Sequence, residues 1–187
     1  MPGHRVCPWW VDLLGTPFRR LIQDPAAIVA PHVHAGMTVL EPGPGMGFFT
    51  LELARLVGPS GRVIAVDIQS QMIAGLQRRA RKAGLIDRID ARVVPPTTLG
   101  LDDLVGAIDF AFVFAVLHEM PAAGPFFAEA ARALRSDATL LIAEPAGHVD
   151  EAEFGEELAA AAQAGLTVIS HPPIDKCRTA LLRKPVA

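Results

Sequence analysis

Short, nearly continuous apolar runs alternate along this chain with longer segments in which apolar residues recur every third or fourth position. The runs "TVLEP", "RVIAVD", "RIDARVV", "IDFAFVF" and "TLLIAEP" are rich in branched and aromatic residues. Continuity of this kind marks strands buried on both faces, as in a parallel sheet. Between them, "FFTLELARLVG", "QSQMIAGLQRRARKAG" and "GPFFAEAARALR" carry helical spacing, and Gly58 and Gly84 stand where helices stop. The alternation predicts an α/β fold, a doubly wound and mostly parallel sheet covered by helices on both faces. The end of the chain differs. After an acidic helix, "DEAEFGEELAAAAQAG", the strands "LTVISH" and "CRTALLRK" are joined only by "PPIDK". So short a connection predicts an antiparallel pair.

Ahead of the first strand, "DPAAIVAPHV" offers Asp24 as helix cap and Pro25 at the first helical position. Residues 1–35 are therefore expected to be a helical N-terminal extension, and residues 36–187 the ligand-binding domain.

Composition narrows the picture. With 187 residues the chain can bury a core without staples, and its net charge of −3 gives no basic footprint for nucleic acid. Cys7 and Cys177 form neither a disulfide framework nor a metal-binding pair, which suits a reducing cytoplasm. The N-terminus lacks a signal-peptide core and no segment is long enough to span a bilayer, so a cytoplasmic protein without a membrane partner is expected. The histidines His4, His32, His34 and His148 have no metal-ligand spacing, and no metal is predicted.

The candidate chemistry lies in "VLEPGPGMGFFT", the first strand–helix turn. In open parallel sheets ligands bind at such carboxyl ends of strands. Gly43, Gly45 and Gly47 give GxGxG, but Phe48 occupies the position where a dinucleotide fingerprint needs a small residue. Pro42 and Pro44 have no N–H, which leaves Gly43, Gly45, Met46 and Gly47 as backbone donors. Glu41 ends the first strand; a carboxylate there repels a pyrophosphate and attracts a cation. Asp67 ends the second, where an acidic side chain accepts both hydrogens of a ribose diol. A ligand with a ribose, a positive charge and no phosphate fits all three constraints, and S-adenosylmethionine is such a ligand.

On these residues the chain resembles the class I S-adenosylmethionine-dependent methyltransferases, from about Val39 to Lys184. "VLEPGPGMG" is similar to that family's first motif and "VIAVDIQSQMI" to its second-strand motif. "FVFAVLHEMP" and "FFAEAARALRSDATLLIAEPAGHV" resemble its fourth and fifth strands. The resemblance implies a Rossmann-like, seven-stranded sheet with an antiparallel last strand, and S-adenosylhomocysteine as product. It also implies that Gly43, Gly45 and Gly47 approach the methionine and ribose portions and that Glu41 faces the amino group. Asp67 would bind the ribose hydroxyls, and Ile68 and Met72 would lie against adenine. The family's frequent acidic residue after the third strand is replaced by "VVPPTTLG", with Thr97 as the substitute. "RSDA" replaces its proline-glycine turn before the fifth strand.

His118, just beyond the fourth strand, either lines the pocket or takes a proton from the acceptor during transfer. In "CPWW", Trp9 and Trp10 either pack the N-terminal helix or form a lid over the acceptor pocket, and Cys7 is read as an inert thiol. The expected activity is methyl transfer to a small molecule. The alternatives are a non-catalytic S-adenosylmethionine-binding module and, less favoured because of Glu41, Phe48 and the absence of tyrosine, a nicotinamide-dependent oxidoreductase. Oligomeric state is not legible.

Overall fold

The computed structural model describes residues 24–186. The predicted runs form β1 (Thr38–Pro42), β2 (Arg62–Asp67), β3 (Ile89–Val93), β4 (Ile108–Phe114), β5 (Leu134–Pro145), β6 (Thr167–Ser170) and β7 (Cys177–Arg183). They make a seven-stranded sheet of order β3-β2-β1-β4-β5-β7-β6. The pairs β1/β2, β2/β3 and β4/β5 are parallel, whereas β7 runs antiparallel to both β5 and β6. The helices are α1 (Pro25–Val29), α2 (Thr50–Leu56), α3 (Ser70–Lys82), α4 (Ala123–Ala133) and α5 (Glu151–Gln163). The chain divides between Val94 and Pro95 into two compact units.

In the unit up to Val94, residues Val39, Leu40, Val63, Ile64 and Ala65 are fully buried, as continuous apolar strands require. Asp24 accepts from the Ala26 N–H at 2.9 Å and Pro25 opens α1, so the predicted start of this helix is present. Helix α3 buries Met72, Ile73, Leu76 and Ala80 on one stripe while its last turn is basic, which suits the negative end of the helix dipole. Each fully buried leucine such as Leu76 contributes about 1.5–3 kcal/mol. Gly58 and Gly84 follow α2 and α3 with φ of 68° and 66°, the left-handed stop that glycine makes without strain.

In the unit from Pro95, Phe110, Phe112, Phe127, Leu140 and Leu141 are fully buried. Strand β5 begins at Leu134, earlier than the run "TLLIAEP" implied. The "RSDA" segment continues the strand through a kink instead of turning ahead of it. Asp137 takes φ 63° there, its N–H donating to Lys184 O at 3.0 Å, and Lys184 N–H returns to Ala138 O at 2.9 Å. Helix α5 starts with a capping box in which Asp150 accepts from Glu153 N at 2.9 Å and Glu153 accepts from Asp150 N at 2.8 Å. Glu129 of α4 holds the segment before β4: it accepts from Thr98 Oγ1 at 2.9 Å, Leu99 N at 2.8 Å and Leu101 N at 3.2 Å.

Candidate functional site

In the first unit the glycine loop leaves β1 and reaches α2 only at Thr50. Gly43, Gly45 and Gly47 have φ of 63°, 55° and 87°, so all three occupy the region that favours glycine. Their surroundings differ. Gly43 is exposed and Gly45 half-buried, leaving backbone that a ligand can approach. Gly47 is buried, and a Cβ there would lie 2.5 Å from Leu76 Cδ1. What approaches Gly47 is therefore helix α3 of the protein itself. The donor set also needs correction, because Gly43 N–H donates to Val66 O at 2.9 Å and Gly47 N–H to Pro44 O at 3.0 Å. Both are engaged inside the chain, unlike the sequence-based expectation.

Helix α3 holds this loop at two further points. Arg79 Nη1 donates to Met46 O at 2.8 Å, and the Met46 side chain lies over Gly75, where an added Cβ would meet Cγ at 2.8 Å. Phe48 is buried and meets Phe49 edge-on, with ring centroids 5.0 Å apart. The bulky residue that argued against a dinucleotide motif is thus part of the core.

Glu41 pairs in register with Ala65, and Asp67 lies two residues further along β2. Side chains in register on parallel strands share a face, and the period of two keeps Asp67 on that face as well. Two carboxylates, 4% and 9% exposed, therefore project from one face at the ends of adjacent strands. Asp67 Oδ1 accepts at 2.8 Å from the N–H of Gln69, the residue just before α3, and so shapes the turn that leads into the helix. Ile68 beside it is 44% exposed, and Met72 is buried in the first turn of α3.

In the second unit His118 lies in a 3-10 turn, Leu117–Glu119, just past β4. Its Nδ1 is hydrogen-bonded to Glu144 Oε2. Glu144, near the end of β5, is fully buried, and its other oxygen accepts from Val116 N at 3.0 Å and Leu117 N at 2.9 Å. One carboxylate thereby organises the whole turn. Ala115, at φ 55°, is held in the left-handed region by this turn and by its N–H donating to Ala143 O at 2.9 Å. The His118 ring meets His148 edge-on at 5.4 Å, and its side chain keeps 21% exposure. The hydrogen bond to Glu144 raises the His118 pKa above its ordinary value; burial opposes this, and the charges of Glu144, Glu119 and Glu157 add to it.

Glu157 of α5 is the second carboxyl of this cluster. It is 8% exposed, with Oε2 buried and unpartnered, and burial beside Glu144 pushes its pKa up to about 8 although His118 opposes the shift. Sequence reasoning found His118 but neither glutamate. A signal existed for Glu144, since "LEP" and "AEP" end β1 and β5 alike. Thr97 is exposed, while its neighbour Thr98 is the one held by Glu129. Trp9, Trp10 and Cys7 lie outside the described residues. Among the described residues no three His, Cys, Asp or Glu groups are placed to hold a metal, and no helix is long and apolar enough to cross a membrane.

A 3-2-1-4-5-7-6 sheet with an antiparallel β7 and a glycine loop after β1 defines the class I, Rossmann-like S-adenosylmethionine-dependent methyltransferase fold. The chain belongs to a methyltransferase domain family, whose profile matches residues 33–172. An S-adenosylmethionine-dependent methyltransferase from Aquifex aeolicus superposes with a TM-score of 0.84 at 25% identity, covering 96% of this chain and 100% of that one. The ubiquinone/menaquinone biosynthesis C-methyltransferase UbiE of Pasteurella multocida is 38% identical over 58 residues, 31% of this chain and 22% of that protein. Geranyl diphosphate C-methyltransferase from Streptomyces coelicolor A3(2), solved with Mg2+, geranyl diphosphate and S-adenosyl-L-homocysteine, gives a TM-score of 0.70 at 16% identity, covering 86% of this chain and 76% of that one. The chain spans less than a third of the length of the curated relatives it matches, 30% and 22%.

Proposed function

We propose that this protein transfers the methyl group of S-adenosylmethionine to a small-molecule acceptor. The observation that carries the reading is the pair of buried carboxylates, Glu41 and Asp67, on one strand face beside the accessible backbone of Gly43 and Gly45. Two negative charges at a glycine turn suit a cationic nucleoside and oppose a diphosphate. Glu41 would hold the ligand's amino group and Asp67 its ribose diol. Gly43 and Gly45 would let its chain pass close to the backbone, and Ile68 and Met72 would flank the adenine. The cofactor supplies an electrophilic methyl group, so the protein's task is to bring an acceptor lone pair into line, where positioning provides much of the acceleration. The small-molecule acceptor is supported by the similarity to UbiE and to the geranyl diphosphate enzyme, both C-methyltransferases.

Calorimetry with S-adenosylmethionine, S-adenosylhomocysteine and NAD(H), followed by a methyl-release screen over small acceptors, tests this reading. Binding of the adenosyl ligands with turnover is expected. Tight NAD(H) binding without them would point to an oxidoreductase, and adenosyl binding without turnover on any acceptor to a binding module.

A further inference from the structure

We infer that His118 and Glu144 form a proton-accepting dyad for an acceptor of the phenol or enol type. The inference rests on the methyl-transfer reading above and adds the class of acceptor to it.

Four observations converge. Glu144 is fully buried yet accepts from three donors, two of them backbone N–H groups of the turn that carries His118. A carboxylate is an acceptor only, so the imidazole Nδ1 carries the proton in this contact and Nε2 holds the lone pair. The side chain nevertheless keeps 21% exposure, so the ring is not sealed off from solvent. Ala115 is maintained at φ 55°, a strained conformation that places the turn over Glu144. A histidine needed only to fill space requires neither the buried carboxylate nor the strain.

The acceptor class follows from matching proton affinities. Glu144 strengthens the imidazole as a base, and a general base works best on an acid not far above it. Phenols and enols lie in that range, near the tyrosine value of about 10. An aliphatic alcohol is far too weak an acid, and a neutral amine already has its lone pair. The step balances simply: the acceptor's O–H bond breaks, the proton goes to Nε2, and the electron pair stays on the acceptor. The neutral pair becomes an imidazolium and an enolate or phenolate, whose oxygen or carbon is then the nucleophile. The groups that face His118 are Glu144 from β5, Glu119 from its own turn, Glu157 from α5 and the ring of His148. Glu157 in turn feels Glu153 on its own helix.

The experiment uses 4-nitrophenol as the probe on the protein without cofactor, read by its visible phenolate absorbance at a pH below its free ionisation. Bound probe is expected to ionise at least about tenfold more than free probe. His118→Ala should abolish the excess and Glu144→Gln should remove most of it. A parallel histidine NMR titration of the wild-type protein covers the case in which Glu144→Gln fails to fold. There His118 should titrate above free histidine. Probe that binds as the neutral phenol, no binding at millimolar concentration, or an excess unchanged in His118→Ala overturns the proposal. So does a His118 titration at or below the free value. S-Adenosylhomocysteine affinity measured on the same proteins separates the two readings. Retained affinity with a failed probe experiment removes the dyad alone, whereas affinity lost in the wild type removes the cofactor assignment.

Discussion

One oxygen of Asp67 receives the Gln69 N–H, and a carboxylate has further lone pairs with which to accept a ribose diol. Helix start and cofactor grip are thus compatible on one side chain. Asp67→Ala is expected to weaken S-adenosylhomocysteine binding by about 1–3 kcal/mol in calorimetry, from hydrogen bonds lost to a charged group. Asp67→Asn should recover the start of α3 but not the full affinity; an affinity unchanged in both variants would place Asp67 outside the site. Glu41 and Asp67 were legible in the sequence because each closes an apolar run, where a charge stands out. Glu157 was not, because it sits in a helix with Glu151, Glu153 and Glu156, and acids on such a helix ordinarily face water. Its position becomes visible only through the stripe it shares with Phe154 and Ala161, three and four residues to either side. The stripe fixes which face is inside, and a glutamate on it is buried.

Helix α3 is the element on which the loop depends. Leu76 occupies the space above Gly47, Met46 covers Gly75, and Arg79 holds the Met46 carbonyl at 2.8 Å. The peptide between Met46 and Gly47 is therefore fixed at both ends, by Arg79 on its carbonyl and by Pro44 on its N–H. Arg79→Met should cost about 1.5–3 kcal/mol, the value of a hydrogen bond to a charged group, divided between fold stability and ligand affinity. A thermal-shift series with and without S-adenosylhomocysteine measures the division. The ligand-induced rise should shrink in Arg79→Met and partly return in Arg79→Lys. A rise of full size would confine Arg79 to the stability of the loop. Every strand could be located from the apolar runs, but the order in which they pair, β3-β2-β1-β4-β5-β7-β6, and the start of β5 could not. The Lys184 backbone, a long-range partner, draws Leu134–Asp137 into the strand, and no local pattern announces that.

At the scale of the whole molecule, the His118–Glu144–Glu157 cluster ties stability to pH. The Glu157 carboxyl ionises near its ordinary value of 4.5 when the chain is unfolded, and only at about 8 when folded. Between those limits the unfolded chain has released a proton that the folded one keeps, so stability falls as pH rises through this window. His118 acts in the same direction: its folded pKa is raised, so its contribution is present at low pH and is lost as pH climbs through that folded value. Glu157→Gln should be more stable than the wild type at pH 8, by on the order of a few kcal/mol, and so melt higher there, and it should match the wild type near pH 4.5. Equal melting temperatures throughout would show that Glu157 ionises freely in the folded protein. The sheet ends at β6, whose four residues are all exposed and whose register against β7 slips between Val168 and Ser170. Ile169 is the extra residue of that slip, and Pro172 and Pro173 follow one residue after the strand ends. An outer margin so short, kinked and proline-bounded gives a neighbouring molecule no straight ladder to extend, which guards an apolar surface against fibre-like growth. Deleting Ile169 should straighten that margin and raise concentration-dependent light scattering above that of the intact chain.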